Sequence, residues 1–193
     1  MIVPAADQTD AELAERALAG QEAAFAQLMR RHRSTVYRVA CSHVADATQA
    51  LDITQETFIS AFAALDRYDR SRPFRLWIAR IAINKCHDWG RRRAVRRLFA
   101  FALPIDEAAT VADADPSPEE VVGARAELAR VNAAIAALPA NLKDVLILRA
   151  IEDLSQAEAA RVLGISEKAV ETRLYRARNK LNQLLRDGGG TRV

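Results

Sequence analysis

Residues 154–178 read LSQAEAARVLGISEKAVETRLYRAR, and this stretch decides the fold. Ser155 and Glu158 form the S-x-x-E pattern of a capping box, which predicts the start of a short helix. Gly164 stands where a helix can end on a left-handed residue, and Ser166 can cap a second helix directly after it. Two helices joined by a tight turn form a helix-turn-helix, so the stretch predicts this motif.

The second helix of this motif is predicted to have two different faces. Its apolar residues recur at spacings of four, three, four and three, in the order Val170, Leu174, Ala177, Leu181 and Leu184. This spacing places them on one side of an α-helix, which we expect to be buried. The polar residues that point the other way are Lys168, Thr172, Tyr175, Arg176 and Asn179. A buried inner face and a cationic outer face are typical of a recognition helix in the DNA major groove, and a helical hairpin with a solvated face is the alternative.

Composition and periodicity predict an all-α fold. Ala, Leu, Arg and Glu, which favour helices, are abundant, and no run of alternating Val, Ile and Thr predicts a strand. Residues 99–117 contain two prolines, only acidic charges and no sustained period, so we expect a flexible acidic linker there. The predicted organisation is two small helical domains, with a disordered N-terminus at 1–10, a first domain at 11–98, the linker at 99–117, a helix-turn-helix domain at 118–187 and a tail at 188–193.

Charge is distributed in blocks along the chain, although the net charge of the 193 residues is only +3. Residues 67–98 sum to +9 and residues 166–193 to +4, whereas residues 99–120 carry six acids and no base. Two basic blocks separated by an acidic one suggest two contacts with nucleic acid. A solvated helix face is the other reading of either basic block taken alone.

Several functional classes find no support in the sequence. The only cysteines, Cys41 and Cys86, form no CxxC pair, and Cys86-His87 has no second ligand pair at matching spacing. His32, His43 and His87 are scattered, and no P-loop or nucleophile–base pair is present. We therefore expect no metal, no cofactor and no enzyme activity. Without a long apolar run or a leader, we also expect a cytoplasmic protein that does not insert into a membrane.

Between about residues 20 and 186 the chain resembles the extracytoplasmic-function class of the sigma-70 family of bacterial RNA polymerase sigma factors. The segment DITQETF at 52–58 is similar to that family's D-x-x-Q-E-x-F signature. The segment FRLWIARIAIN at 74–84 is similar to its F-R-x-W-L-x-x-I-A-x-N signature. The Leu-Pro pair at 138–139 and the helix-turn-helix are similar to its second domain. The resemblance implies a sigma-2-like domain followed by a sigma-4-like domain.

The resemblance also implies three sets of contact residues. The set that would dock on the clamp helices of the core polymerase β′ subunit is Asp52, Gln55, Glu56 and Phe58. The set that would melt and read the −10 promoter element is Trp77, Asn84, Lys85, Asp88, Arg91 and Arg92. The set that would read the −35 element is Ser166, Lys168, Glu171, Thr172, Arg173, Tyr175 and Arg176. Periodicity alone assigns none of these roles, because an exposed acidic face is usually only solvated and aromatic residues at helical spacing usually belong to the core.

The recognition helix departs from the family at one position. Many members have Thr-Val-Lys or Thr-Val-Arg where this chain has Ala169-Val170-Glu171. A glutamate repels phosphate, but it can accept a hydrogen bond from the amino group of cytosine. The preferred −35 sequence is therefore expected to differ from that of those members.

The leading hypothesis is a two-domain initiation factor that gives core RNA polymerase its promoter choice. The resemblance further implies a stress or envelope response and control by an anti-sigma factor. In the free protein, the flexible linker would let the two domains fold against each other or onto an anti-sigma partner. One alternative is a stand-alone helix-turn-helix regulator, although residues 1–98 resemble neither a ligand-sensing nor a dimerising domain. Another is a sigma mimic that titrates an anti-sigma factor, although the receiver domain usual in such proteins is not recognised.

Overall fold

The computed structural model of the protein describes residues 8–102 and 119–187, with side chains for residues 8–96 and 126–187. These residues form helices and no strand, so the predicted all-α fold is confirmed. Three predictions lie wholly or mostly outside the described residues. They are the disordered N-terminus, the acidic linker and the tail.

The first domain contains four helices, and a 3₁₀ turn at Leu65–Arg67 separates the third from the fourth. They are α1 (Asp10–Leu18), α2 (Glu22–Val44), α3 (Ala47–Ala63) and α4 (Phe74–Ala102). Local signals set their ends. Thr9 and Glu12 form a capping box that starts α1, and the Asp46 carboxylate accepts a hydrogen bond of 2.9 Å from the Gln49 N–H at the start of α3.

The buried stripe of α3 differs from the one that its apolar residues predict. The spacing of Leu51, Phe58, Phe62 and Leu65 predicts that all four face the core, but Leu51 and Phe62 are 42% and 54% exposed. Thr54 and Thr57 are buried instead, and their hydroxyls donate to backbone carbonyls one turn earlier at 2.7 Å. Because each hydroxyl is satisfied within its own helix, the two threonines can occupy core positions that hydrophobicity assigned to larger residues.

The fourth helix is also longer than predicted. It continues to Ala102, so residues 99–102, which were assigned to the linker, are helical. These residues read FAFA and contain neither glycine nor proline; the first proline beyond them is Pro104. Nothing in the local sequence therefore ends the helix at residue 98.

The second domain begins with α5 (Glu119–Ala136), which is followed by α6 (Ala140–Leu146) and a π-helical turn at Ile147–Ile151. The helix-turn-helix then follows as α7 (Gln156–Leu163) and α8 (Glu167–Asp187). Its predicted capping box and left-handed turn are confirmed, since the Ser155 N–H donates to Glu158 at 2.8 Å and Gly164 has φ 67°. Val170 and Ala177 of the predicted inner stripe are fully buried, and its three leucines pack against the same core.

The two domains are packed against each other. Helix α7 lies against α4, while α5 and the π-helical turn lie against α2. One continuous apolar core includes Phe74 and Ile78 from the first domain and Leu148 and Val162 from the second. The surfaces of α4 and α7 therefore face each other across the contact between the domains.

Candidate polymerase and promoter interfaces

The outer face of α8 is open to solvent. Tyr175 is 69% exposed, and Lys168, Thr172 and Arg176 are exposed beside it. Glu171 lies in the same row, where its carboxylate accepts a hydrogen bond of 2.9 Å from the Lys168 ammonium. An exposed pair of this kind contributes little to stability, so both side chains are free to exchange partners with DNA.

Two other residues of the predicted −35 set do not belong to this open face of α8. The Ser166 hydroxyl caps α8 by accepting from the Ala169 N–H at 3.2 Å, so its contribution is to position the helix. Arg173 is half-buried and lines a cavity against the first domain. The open part of the predicted set is therefore the row from Lys168 to Arg176.

The predicted polymerase-docking set is split between the surface and the core. Asp52 and Gln55 are exposed on α3, and the Glu56 carboxylate lies 3.5 Å from the Arg92 guanidinium. Phe58 is only 4% exposed, so it anchors α3 from inside and presents no surface to a partner. Exposed apolar side chains that sequence reasoning missed lie on the same helix, with Ile59 at 69% and Phe62 at 54%. Their spacing from Asp52 and Gln55, seven residues in each case, places them along the same sides of the helix.

The predicted −10 set lies along α4 in two different environments. Trp77 is half-buried, with its ring centroid 5.2 Å from those of both Tyr68 and Phe74, so it belongs to an aromatic cluster. Asn84 is exposed towards the second domain, and Lys85 is half-buried. Beyond them, Asp88 pairs with Arg91, and the side chains of residues 91–96 are exposed. The C-terminal half of the set is therefore a cationic surface, whereas its N-terminal half lies near the domain contact.

Among the described residues, two arginine–glutamate ion pairs join the domains. Arg38 of α2 donates two hydrogen bonds of 2.9 Å to Glu152, whose side chain is 5% exposed. Arg75 of α4 donates one of 2.6 Å to Glu158 of α7. The Arg75 hydrogen bond, together with those from Ser155, lowers the pKa of Glu158 to about 2. Glu158 therefore has two roles, since it closes the capping box of α7 and holds that helix against α4.

A buried polar cluster forms a third connection. Asp144 of α6 has one carboxylate oxygen within 2.9 Å of His43 Nε2 and 3.0 Å of His87 Nε2. The side chains of His43 and Asp144 are 5% and 7% exposed. Burial by itself raises the pKa of Asp144, but the hydrogen bonds from the two histidines outweigh it and the pKa is lowered. The hydrogen bond to Asp144 raises the pKa of His87 above its usual value. Asp144 is therefore ionised in this contact.

Cavities lie between the described parts of the two domains, beside these contacts. One of about 390 Å³ is lined by Asn84 and His87 of the first domain and by Asp144 and Arg173 of the second. Another, of about 220 Å³, is lined by Trp77 and by arginines from both domains, namely Arg67, Arg72, Arg80 and Arg161. Residues predicted to read the −10 and −35 elements therefore line a common space.

Sequence reasoning missed the residues that join the domains. Glu158 was recognised only as a capping residue, and His43 and His87 only as scattered histidines. Arg38, Glu152 and Asp144 carry no local motif, and their partners lie at least 57 residues away along the chain. Only their juxtaposition in three dimensions identifies them. A search of the helices among the described residues found none long and apolar enough to cross a lipid bilayer.

Comparison with known proteins assigns both domains. Residues 28–96 match the family described as Sigma-70 region 2, and residues 128–181 match the one described as Sigma-70, region 4. The chain is 43% identical to the RNA polymerase sigma factor CnrH of Cupriavidus metallidurans over 93% of its own length and 95% of that protein. It is 34% identical to the ECF RNA polymerase sigma factor BldN of Streptomyces coelicolor over 95% of its length and 70% of that protein.

A solved structure has the same fold. The structure of CnrH in complex with the cytosolic domain of CnrY superimposes with a TM-score of 0.69 at 37% identity, covering 93% of this chain and 99% of that one. Both the order of the two matched regions and the nearly complete coverage agree with the resemblance seen in the sequence. The chain belongs to the sigma-70 family of RNA polymerase sigma factors, in its extracytoplasmic-function class.

Proposed function

We propose that this sigma factor rests in the closed arrangement described above and that binding to core polymerase separates its two domains at a promoter. The observation that carries the proposal is the cavity of about 390 Å³ that Asn84 of the first domain and Arg173 of the second both line. The major groove of DNA alone is about 12 Å wide, so a duplex cannot enter a space of this size. Although the Asn84 side chain is exposed to solvent, promoter DNA would therefore reach it only when the domains move apart.

The contacts between the domains suit a reversible closure. The Arg38 and Arg75 side chains are 49% and 46% exposed, so each ion pair has one solvated partner. Partly solvated pairs contribute modestly, on the order of 1 kcal/mol each, and water can replace them at small cost. The apolar contact between α4 and α7 supplies the remaining stabilisation. The free energy of binding to a large surface, such as that of core polymerase, can offset the stabilisation that these contacts give to the closed arrangement.

Each predicted surface then has a separate task. The exposed face of α3, with Asp52 and Gln55 flanked by Ile59 and Phe62, would bind the clamp helices of the β′ subunit. The face of α4 that holds Asn84 would read and melt the −10 element, and the arginines after it would hold the phosphate backbone. The row on α8 from Lys168 to Arg176 would enter the major groove at the −35 element.

The closed arrangement is also the form that an inhibitory protein would bind. CnrH, the relative described above, was solved in complex with the cytosolic domain of CnrY. By analogy, an anti-sigma factor would stabilise closure of this chain and compete with core polymerase. The protein would act in the cytoplasm by binding alone, without covalent chemistry of its own.

Run-off transcription with purified core polymerase and the double variant Glu152→Gln/Glu158→Gln tests the proposal. Glutamine keeps the capping box of α7 and removes the charge that holds each arginine. We expect the double variant to reach half-maximal transcription at a lower concentration than the wild-type protein. It should also bind promoter DNA more tightly than wild type when core polymerase is omitted.

A matched control comes from the first domain. Glu12 closes the capping box of α1 in the same way, through the Thr9 N–H at 2.8 Å, but has no partner across the domain contact. Glu12→Gln should behave like wild type in both assays. If the double variant also matches wild type, while both proteins support transcription, closure does not limit promoter access and the proposal is wrong.

A further inference from the structure

The cluster of His43, His87 and Asp144 joins three helices from two domains. His43 comes from α2, His87 from α4 and Asp144 from α6, and one possible ligand atom from each lies within 4.8 Å of the other two. No role that the sigma-70 family assigns to this chain uses these three side chains. The sequence predicted no metal site, since each ligand lies more than forty residues from the next along the chain.

The hydrogen bond at the other side of the His43 ring limits what its Nε2 atom can do. Nδ1 lies 2.8 Å from the Val39 carbonyl oxygen, which can only accept, so Nδ1 carries a proton. In a neutral imidazole the Nε2 atom then presents a lone pair. That lone pair points at a carboxylate oxygen of Asp144 2.9 Å away, so a proton or a metal ion must lie between the two atoms.

Two cations fit this requirement, a proton on Nε2 or a metal ion shared by all three side chains. Metal-bound histidines usually donate their second ring N–H to a backbone carbonyl or a carboxylate, as His43 does to Val39. In a tetrahedral zinc site the bond lengths of about 2.0–2.2 Å place ligand atoms about 3.3 Å apart. The separations of 2.9 and 3.0 Å from Asp144 to the histidines need only a small expansion to reach that value.

The surroundings leave room for a fourth ligand and for entry. The His87 side chain is 31% exposed, and together with Asp144 it lines the cavity of about 390 Å³ between the domains. A water molecule in that cavity can complete the coordination. The neighbour of Asp144 in the sequence, Lys143, donates to the carbonyl oxygens of His43 and Ala136, so its ammonium group is occupied elsewhere.

We propose that His43, His87 and Asp144 bind one divalent transition metal ion of the Zn²⁺ type, which joins the two domains. Two imidazole nitrogens and one carboxylate oxygen form a ligand set that binds Zn²⁺ and also accepts Co²⁺. Because His43 and His87 lie in the first domain and Asp144 lies in the second, the ion binds all three ligands only in the closed arrangement. Metal binding therefore favours closure by the difference in affinity between the two states.

Cobalt titration of the full-length protein, after removal of metal with a chelator, tests the site directly. We expect one Co²⁺ per chain, with the visible absorption bands of a four-coordinate ion, and displacement by one equivalent of Zn²⁺. His87→Gln and Asp144→Asn should each weaken binding by about 100-fold or more. Circular dichroism of the metal-free variants identifies any loss of fold, and His87→Gln, which changes a partly exposed side chain, is the safer of the two.

His32→Gln is the matched control. His32 also pairs with an aspartate, Asp10 at 2.7 Å, but it has no second histidine beside it. This variant should bind Co²⁺ like wild type. Absence of Co²⁺ binding to the wild type leaves the proton as the cation in the cluster and overturns the proposal. Binding that both His87→Gln and Asp144→Asn leave unchanged would place the metal elsewhere and also overturn it.

The functional consequence rests on the proposed closure and has a separate readout. Zn²⁺ at saturating concentration should slow the formation of promoter complexes by wild-type protein and core polymerase, but not by Asp144→Asn. If Co²⁺ binds as expected and Zn²⁺ leaves promoter complexes unaffected, the metal site stands and the closure proposal fails.

Discussion

The two regions predicted to read promoter DNA, the outer face of α8 and the first half of α4, differ in what covers them. Helix α8 presents Tyr175 and Arg176 to solvent, while its buried Val170 and Ala177 pack into the core on the other side. Helix α4 also has exposed residues over its first turns, but they lie beside the second domain. Its buried residues pack inside the first domain, and the exposed Arg75 contacts Glu158 of the second domain.

Under the proposed function, this difference means that the −35 surface on α8 is accessible in the free protein, whereas the −10 surface on α4 is not. The −35 surface would need no rearrangement before it meets a major groove. The −10 surface would need the domains to separate, because Asn84 lines a cavity to which the second domain contributes a wall. Access to the −10 element would then be the step that a partner protein or a bound ion can regulate.

Replacing an aromatic residue in each region should give the largest contrast in stability. Phe74, at the start of α4, is 1% exposed and packs against Tyr68 and Trp77. Phe74→Ala should therefore reduce the free energy of unfolding by about 3–5 kcal/mol. Tyr175→Ala should change it by less than about 0.5 kcal/mol, because that side chain is 69% exposed. Urea denaturation of both variants measures the difference. Equal losses would show that the two regions are not built differently.

Removing the Arg176 guanidinium from the outer face of α8 should weaken DNA binding without affecting the fold. Arg176→Ala should lower the affinity of the polymerase-bound protein for promoter DNA by about 1–3 kcal/mol. If Arg176 contacts a phosphate, the salt dependence should also fall by about one unit of slope. Filter binding across a salt series checks both values. Arg186→Ala, in the last turn of the same helix, is the control and should bind like wild type; an equal loss in both variants would point to a nonspecific charge effect.

The sequence predicted the helix-turn-helix well because its signals are local. Ser155, Glu158, Gly164 and Ser166 each act on a group within four residues of their own position, and the structure confirms each of them. The family signatures, in turn, predicted the two matched regions. The inner face of α3 was partly mispredicted, since the hydroxyl of a buried residue such as Thr57 finds its acceptor in the same helix and hydrophobicity does not reveal this.

The contact between the domains could not be predicted in this way. Arg38 and Glu152 are 114 residues apart, and an arginine or glutamate with no local partner has the same sequence pattern as a solvated charge. The same holds for Asp144, whose neighbours in the chain do not indicate that two histidines meet it. Contacts of this kind depend on how the helices of two domains are arranged, which no local period encodes.

Glu171 allows a test of sequence choice on the open surface. If its carboxylate reads a base, Glu171→Lys should change the preferred −35 sequence, with about 1–3 kcal/mol of discrimination at the affected position. The Lys168–Glu171 pair of 2.9 Å would be lost as well, which affects stability little because both side chains are exposed. Selection from a randomised promoter library measures the preference. A uniform gain in affinity for all sequences would mean that Glu171 is only a solvated acid.

The smallest effect that we expect is a change in the pKa of Glu158, which lies in the contact between α7 and α4. Its pKa is lowered from 4.5 to about 2, first by the Arg75 hydrogen bond and then by those from Ser155, so the stabilisation from these contacts is present above about pH 4.5 and is lost as the pH falls towards 2. Arg75→Gln should raise the pKa of Glu158 towards 4.5, as measured by carboxyl-carbon NMR. The Glu12 carboxyl, whose pKa is lowered by its hydrogen bonds with Thr9, should titrate unchanged in that variant. An unchanged pKa of Glu158 would mean that the domains are not in contact there in solution.

The distance between the two domains tests the central claim most directly. Spin labels at Ser34→Cys and Asn182→Cys, both exposed positions, would report it in a Cys41→Ser background. Cys86 is buried with its pKa raised to about 12, so it stays unlabelled. Pulsed electron–electron double resonance should give one narrow distance in the free protein and a longer one after core polymerase is added. A distance that core polymerase leaves unchanged, or a broad distribution already present in the free protein, would contradict the closed resting state.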